Sequence, residues 1–372
     1  MAAEQPRSRA RRRDPEAART IRDVAARAGV STATVSRVVN GNYPVAASTQ
    51  AAVERAMRDL GYVANAHARA LAGSTTRVVG IVVSEIVDPF FAYIARGVQS
   101  EALASGRLCL VCSTQGGEAA ELRFVDLLLE QRADAVILVG GAVEDQEYFA
   151  AVGQRARQLA NNGSSLVLCG RPGLESGVPA YAVEYDNTGG AAAITDHLLS
   201  AGHTKILYLG GPTTLSTTTA RLRGFQQAFA ARKLTHDPAL VRTGAFGRQW
   251  GYQQTLRALD DGLDFTAIFA ANDIVAAGVY AALRERELRI PDDVSVVGYD
   301  DVPVATELQP ALTTVRVPLE ELGRAAVRAG LAGQEPSADP FAHQQPMTTL
   351  GTVVVVRDSV GPATVGRGRT TV

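Results

Sequence analysis

Apolar residues recur at helical spacing in the first part of the chain and in short unbroken runs through the rest, and the change falls near residue 78. Ile21, Val24, Ala25 and Ala28 stand at i, i+3, i+4 and i+7, one stripe of a short helix capped by Thr20. Gly29 ends that helix and Val30 packs the turn. Ser31 then caps a second helix whose Val35, Val38 and Val39 face inward. A third helix over Ser48–Leu60 brings Val53, Ala56, Met57 and Leu60 to close a three-helix core. The spacing therefore predicts an all-α helix-turn-helix domain over residues 20–63.

The polar face of the second helix carries its chemistry. Thr32, Ala33, Thr34 and Ser36 are small, and Arg37 is the one long donor among them. Such a face lets a helix lie deep in the major groove while arginine reaches guanine O6 and N7. Thr20, Ser31 and Asn40 flank it and join it as candidate DNA contacts.

From Val78 onward the pattern is βα. Strand-like apolar runs at 78–83, 108–112, 135–139, 166–169, 205–209, 267–270 and 294–298 alternate with amphipathic stretches such as Phe91–Leu103, Gly189–Leu199 and Arg221–Ala230. Strands apolar on both faces imply parallel sheets covered by helices on both sides. Residues 78–357 suffice for two doubly wound parallel-sheet lobes. Residues 64–77 read as a linker with a helix-capable stretch, Asn65–Ala72, only about two turns long and too short to hold alone in water. Residues 1–19, with Arg7, Arg9 and Arg11 to Arg13, read as a disordered basic arm, and 358–372 as a flexible tail.

The chain has 372 residues, 46% hydrophobic and 20% charged, a globular composition too long for one core. Its net charge of −1 conceals an asymmetry: residues 1–77 hold thirteen arginines against six acids, while the remainder is acidic. A basic head on an acidic body is the footprint of nucleic-acid contact confined to one end. No apolar run reaches membrane-spanning length, and the arginine-rich start is not followed by a hydrophobic signal segment, so a cytoplasmic protein is expected. Cys109 and Cys112 lie three apart on one strand and so face opposite sides; with Cys169 they read as structural thiols. There is no strand-linked GxGxxG, no P-loop and no nucleophilic or metal-ligand cluster, which argues against an enzyme and against a cofactor.

With these features in order, the chain resembles the lactose-repressor and galactose-repressor family of bacterial transcriptional regulators over residues 20 to about 357. The motifs that carry the likeness are the head, the hinge Asn65–Leu71, Asp88-Pro-Phe-Phe91, Arg221-Leu-Arg-Gly-Phe225, Ala271-Asn-Asp273, Gly298-Tyr-Asp-Asp301 and Leu312-Thr-Thr314. The resemblance implies a body similar to periplasmic binding proteins, with a small-molecule effector between its lobes. It implies a homodimer on a near-palindromic DNA operator, probed at the minor groove by Asn65, Ala68, Arg69 and a wedge leucine, Leu71. Ala64 stands where the family usually has proline.

Ligands of open parallel sheets bind past the carboxyl ends of the strands, so residues following each strand are the effector candidates. Asp88 with Pro89 starts a helix at the cleft edge, and Phe90, Phe91 or both could present a ring face to a sugar. The resemblance adds Arg221 as a donor, Asn272 or Asp273 and Asp300 as hydroxyl partners, Thr217 as a hydroxyl, and Phe246 as a stacking ring with Trp250 as its rival. Gly170-Arg171 lacks the acid that relatives usually place before the arginine, and Val317 replaces a frequent glutamine. Arg171 and Arg221 together leave two effector classes open, a sugar or sugar derivative and an anionic or partly apolar molecule. The expected function is a transcriptional repressor switched by that effector; the alternative is a solute-binding protein without a regulatory role, which would have no use for residues 20–71.

Overall fold

The computed structural model describes residues 19–40, 43–62, 77–115, 117–332 and 347–363. The basic arm before residue 19, the hinge candidates Asn65, Ala68, Arg69 and Leu71, and the side chain of Asn40 lie outside the described residues. The chain divides into two units, with the boundary between Thr76 and Arg77.

In the first unit α1 (Ile21–Ala28), α2 (Thr32–Asn40) and α3 (Ala47–Leu60) close on Val24, Val35 and Val53, all fully buried. Ile21, Val30, Val38, Val39, Met57 and Leu60 pack around them half-buried. The backbone N–H and the hydroxyl of Thr20 both donate to the Asp23 carboxylate, at 2.9 and 2.8 Å, so an acid in the first turn fixes the helix start. Gly29 ends α1 at φ +68°, left-handed backbone that a side chain would strain. Ser31 Oγ then accepts from the N–H of Thr34 at 3.1 Å and caps α2.

The second unit runs β1 (Val78–Val83), α4 (Pro89–Ala104), β2 (Leu108–Ser113), α5 (Glu118–Glu130), β3 (Ala135–Val139), α6 (Gln146–Asn161), β4 (Ser165–Cys169) and β5 (Ala180–Tyr185) through a first lobe. A second lobe follows with α7 (Asn187–Ser200), β6 (Ile206–Gly210), α8 (Ser216–Ala231), β7 (Val241–Thr243), α9 (Arg248–Asp260), β8 (Ala267–Ala270), α10 (Asp273–Glu285), β9 (Ser295–Asp300), α11 (Val304–Glu307) and β10 (Thr313–Arg316). The chain returns to the first lobe for α12 (Leu319–Ala332) and β11 (Met347–Leu350), then crosses again for β12 (Val353–Val355). The sheets are ordered β11-β5-β4-β3-β1-β2 and β12-β10-β9-β8-β6-β7. Every pairing is parallel except β10 with β12. Three crossings therefore join the lobes, after β5, after β10 and after β11.

Five strands go beyond the apolar runs of the sequence: β5, β7, β10, β11 and β12. Four are edge or alternating strands whose mixed faces weaken the apolar signal. The fifth, β10, is internal, and its Thr313 and Thr314 are buried polar residues satisfied by hydrogen bonds. Cys109 packs against one hydrophobic core and Cys112 against another, on opposite faces of β2.

The expectation of a flexible tail from residue 358 needs correction over 358–363. Ser359 is fully buried; its hydroxyl donates to Val296 O at 2.6 Å and accepts from the N–H of Thr313 at 2.8 Å. Ala363 N–H donates to Ala201 O at 2.8 Å. This short stretch is held by the Ser359 hydroxyl and by backbone bonds, which carry no hydrophobic periodicity.

Candidate functional site

In the first unit Thr32, Ala33 and Arg37 are exposed along α2, while Thr34 and Ser36 are half-buried. The Thr34 and Ser31 hydroxyls lie 2.9 Å apart and engage each other. Arg37 extends into solvent with its guanidinium 5.9 Å from the ring centroid of Tyr43, an exposed aromatic that sequence reading passed over. Its exposure falls on a residue with no helical partner spacing, so nothing in the pattern singled it out.

In the second unit a cavity of about 450 Å³ opens between the lobes at the carboxyl ends of the strands. Asp88, Phe90, Phe91, Arg171, Thr217, Arg221, Phe246, Asn272 and Asp300 all line it. Asp88 caps α4, accepting from the N–H of Phe90 at 2.9 Å. The two phenylalanine rings meet edge to face, centroids 5.1 Å apart; Phe90 is buried and Phe91 turns its half-exposed ring over Gly140. Across the cleft Phe246 covers Gly211, whereas Trp250 packs on Gly244 and the second-lobe core, so the structure places Phe246 in the cavity and not its rival.

Asp273 departs from the expectation of a ligand acceptor. It lies beneath the cavity, fully buried, accepting from the N–H of Val302 at 2.9 Å and the Thr314 hydroxyl at 2.6 Å. Burial first, and then the neighbouring Asp300 charge, push its carboxyl well above the ordinary range. Its work is to tie α10 to β10. The adjacent Asn272 does reach the cavity: its Oδ1 caps α10 at 2.7 Å from the N–H of Val275, which leaves the amide NH₂ as a donor. Val317, in the place of the family's glutamine, is buried in the core and does not line the cavity.

Both arginines are compensated. Arg221 Nη2 lies 3.1 Å from Asp300 Oδ1 and 3.2 Å from the Tyr185 hydroxyl. Its Nε donates to Asn187 Oδ1 at 2.9 Å, its Nη1 donates to Ala271 O, and its Cζ lies 3.7 Å from the Tyr299 centroid. Four of its five N–H groups are thereby used, which leaves one on Nη1. Burial opposes the charge, yet Asp300 carries the Arg221 pKa above its ordinary value. Asp300 itself, at φ +106°, is a non-glycine residue in strained backbone at the cleft wall.

Arg171 is more completely enclosed. Nε donates to Gly140 O at 2.8 Å; Nη1 donates to Glu121 Oε1 at 3.0 Å and the Tyr148 hydroxyl at 2.8 Å. Nη2 donates to Glu121 Oε2 and to Val139 O, both at 3.1 Å. Glu121 and Tyr148, which line the same cavity, were invisible in the sequence because they come from helices α5 and α6 and not from strand ends. They bring a carboxylate and a phenol to the Arg171 guanidinium. With Glu85, Asp88 and Glu118 also on the wall, the lining holds five carboxylates against two guanidiniums and no lysine or histidine.

The lobes also touch across the cleft. Val143 and Leu215 form an antiparallel bridge, Glu144 N–H donates to Thr214 O at 2.9 Å, and Ser216 N–H donates to Ala142 O at 3.0 Å. These bonds tie the two lobes together in the arrangement seen here.

A helix-turn-helix unit on the same chain as a two-lobed, ligand-sized cleft defines a transcription regulator governed by a small molecule. Residues 20–65 match the model for bacterial regulatory proteins of the lacI family, and residues 195–360 match the periplasmic binding protein-like domain. The chain is 34% identical to the HTH-type transcriptional regulator GalR of Escherichia coli, across 84% of this chain and 88% of that one. It is 36% identical to the HTH-type transcriptional regulator CelR of Thermobifida fusca, across 86% and 91%. In structure it is similar to the lac repressor dimer bound to operator and the anti-inducer ONPF, with a TM-score of 0.79 at 28% identity over 92% of this chain and 99% of that chain. A complex of CelR with cellobiose aligns at TM-score 0.66 and 32% identity over 92% and 99%. The chain belongs to the lacI family of bacterial regulatory proteins.

Proposed function

We propose that this protein is a repressor that binds a near-palindromic operator as a homodimer and releases or holds it according to a neutral, hydroxylated effector in the cleft. The observation that carries the effector class is the pairing of both cavity guanidiniums with carboxylates. Arg171 is neutralised by Glu121, Arg221 faces Asp300, whose carboxyl burial holds up at about 7, and three further acids keep the wall from being cationic. An anionic effector would meet net negative charge along the cleft wall. Among the polar groups that remain, the Arg221 Nη1 hydrogen, the Asn272 amide and the Thr217 hydroxyl suit neutral hydroxyls, and Phe91 and Phe246 offer ring faces.

Thr20, Ser31, Thr32, Ala33, Thr34, Ser36, Arg37 and Asn40 are the proposed operator contacts, with Asn65, Ala68, Arg69 and Leu71 in the minor groove. The homodimer is supported by the likeness to the lac repressor dimer bound to operator. The relatives are HTH-type transcriptional regulators, which supports a protein that acts by binding. Among the described residues no helix is long and apolar enough to cross a membrane; a DNA target and free thiols suit the cytoplasm. The effector acts through unequal affinity for two lobe arrangements, and the bridge at Val143 and Leu215 is one contact that distinguishes them.

Isothermal titration of the full chain with neutral and phosphorylated sugars, coupled to selection of bound DNA from a random pool with and without each, tests the reading. Neutral sugars should bind and change operator retention. Binding confined to phosphorylated sugars would overturn the neutral effector, and selected DNA without two-fold symmetry would overturn the dimer.

A further inference from the structure

The donor count at Arg171 assigns roles that the family motifs do not. A guanidinium has five N–H groups, and all five of Arg171 are taken by Gly140, Val139, Tyr148 and the two oxygens of Glu121. Arg171 therefore has nothing left to give an effector, although it lines the cavity. Glu121 is different. Its Oε1 accepts from both Arg171 Nη1 and the Tyr148 hydroxyl, whereas its Oε2 accepts from Arg171 Nη2 alone. A carboxylate oxygen has two acceptor sites, so Oε2 keeps one, on a side chain that is 14% exposed and faces the cavity.

We propose that Glu121 is the specificity-determining acceptor of the first lobe, taking one effector hydroxyl on Oε2, and that Arg171 and Tyr148 are positioning residues that hold it there without touching the effector. The proposal rests on the neutral-effector reading above. It gives the first lobe a carboxylate although residue 170 is glycine: backbone at φ +75° and the Tyr185 ring 3.2 Å from a Cβ disfavour a side chain there, and the carboxylate arrives from α5. A buried acceptor aimed at a hydroxyl rejects the analogue that lacks it, because the acceptor is then left unpaired.

The test is isothermal titration of the full chain with glucose, ribose and cellobiose, followed by the monodeoxy analogues of whichever sugar binds. On the wild type one monodeoxy analogue should bind about 10- to 100-fold more weakly than its parent. On Glu121→Gln the parent should weaken by that same factor while that analogue keeps its wild-type affinity, so the difference closes at one hydroxyl only. Tyr148→Phe, which preserves every charge and serves if the first variant fails to fold, should narrow the gap at the same hydroxyl. A common loss across parent and all analogues, or no change, overturns the role of Glu121 while leaving the effector class intact. A wild type that binds none of the three sugars overturns both.

Discussion

Arg221 and Asp300 face each other at 3.1 Å on the second-lobe wall of the cleft, and the same guanidinium reaches Tyr185 and Asn187, the residues on either side of the first crossing between lobes. One side chain thus joins the floor of the effector site to the segment about which the lobes must turn. A ligand that competes for its remaining N–H, or displaces Asp300, alters the contacts that fix the crossing.

Arg221→Ala should remove the buried hydrogen bonds to Asn187, Ala271, Tyr185 and Asp300, with Asp300 taking up a proton in place of its cation, and cost about 1–3 kcal/mol of stability. Urea unfolding of the second unit measures it, and effector affinity should fall with it. A loss below about 1 kcal/mol would mean that water replaces the guanidinium and that the pair is not structural.

Burial holds the Asp300 carboxyl up at about 7 against the opposing pull of Arg221. A folded-state value above the ordinary 3.8 means that the folded chain binds this proton more tightly than the unfolded chain does. Its contribution to stability is therefore complete below about pH 4, declines as the pH rises towards 7, and is gone above that. Thermal unfolding of wild type and Asp300→Asn between pH 5 and 8 checks the sign: the wild type should lose ground to the variant up to about pH 7 and no further. A difference independent of pH would show a carboxylate ionised throughout.

Gly170→Asp places an acid directly before Arg171, yet it should not improve the site. With φ at +75° and the Tyr185 ring 3.2 Å from the new Cβ, the substitution should destabilise by about 1–3 kcal/mol. Unfolding midpoints and effector titration together decide it; a tighter, equally stable variant would contradict Glu121 as the carboxylate of the first lobe.

Arg37→Ala should cost about 1–3 kcal/mol of operator binding and relax the preference at one base pair in each half-site. Binding measured across a set of single-base operator variants separates the outcomes. A uniform loss over all variants would make Arg37 a phosphate contact.

The head was legible because its information is local. A 3.6-residue apolar stripe, a glycine at the turn and hydroxyls or an acid at the helix starts act within a few residues of each other, and Val24, Val35 and Val53 meet where that spacing points. The seven apolar strands were legible for the same reason. The strands that escaped, such as β10 and β12, are short or satisfied by polar contacts with distant segments, and residues 358–363 are held by backbone bonds to Val296, Ala311 and Ala201. Within the cleft, the residues at strand ends could be named in advance, since the topology of parallel sheets fixes where they emerge. Whether a named carboxylate faces the ligand or the core could not: Asn272 and Asp273 are neighbours, and one helix start turns the first to the cavity and the second inward.

What the sequence determined by itself is the architecture, the DNA-reading helix and the set of strand-end residues, because periodicity, caps and turns are short-range physics. What only the tertiary structure decided is the charge of the cleft. Arg171 and Arg221 read as two free cations along the chain, but Glu121 lies fifty residues from the one and Asp300 seventy-nine from the other. The energy of a buried charge is set by what stands within a few ångströms of it, and that neighbourhood exists only once the lobes have folded.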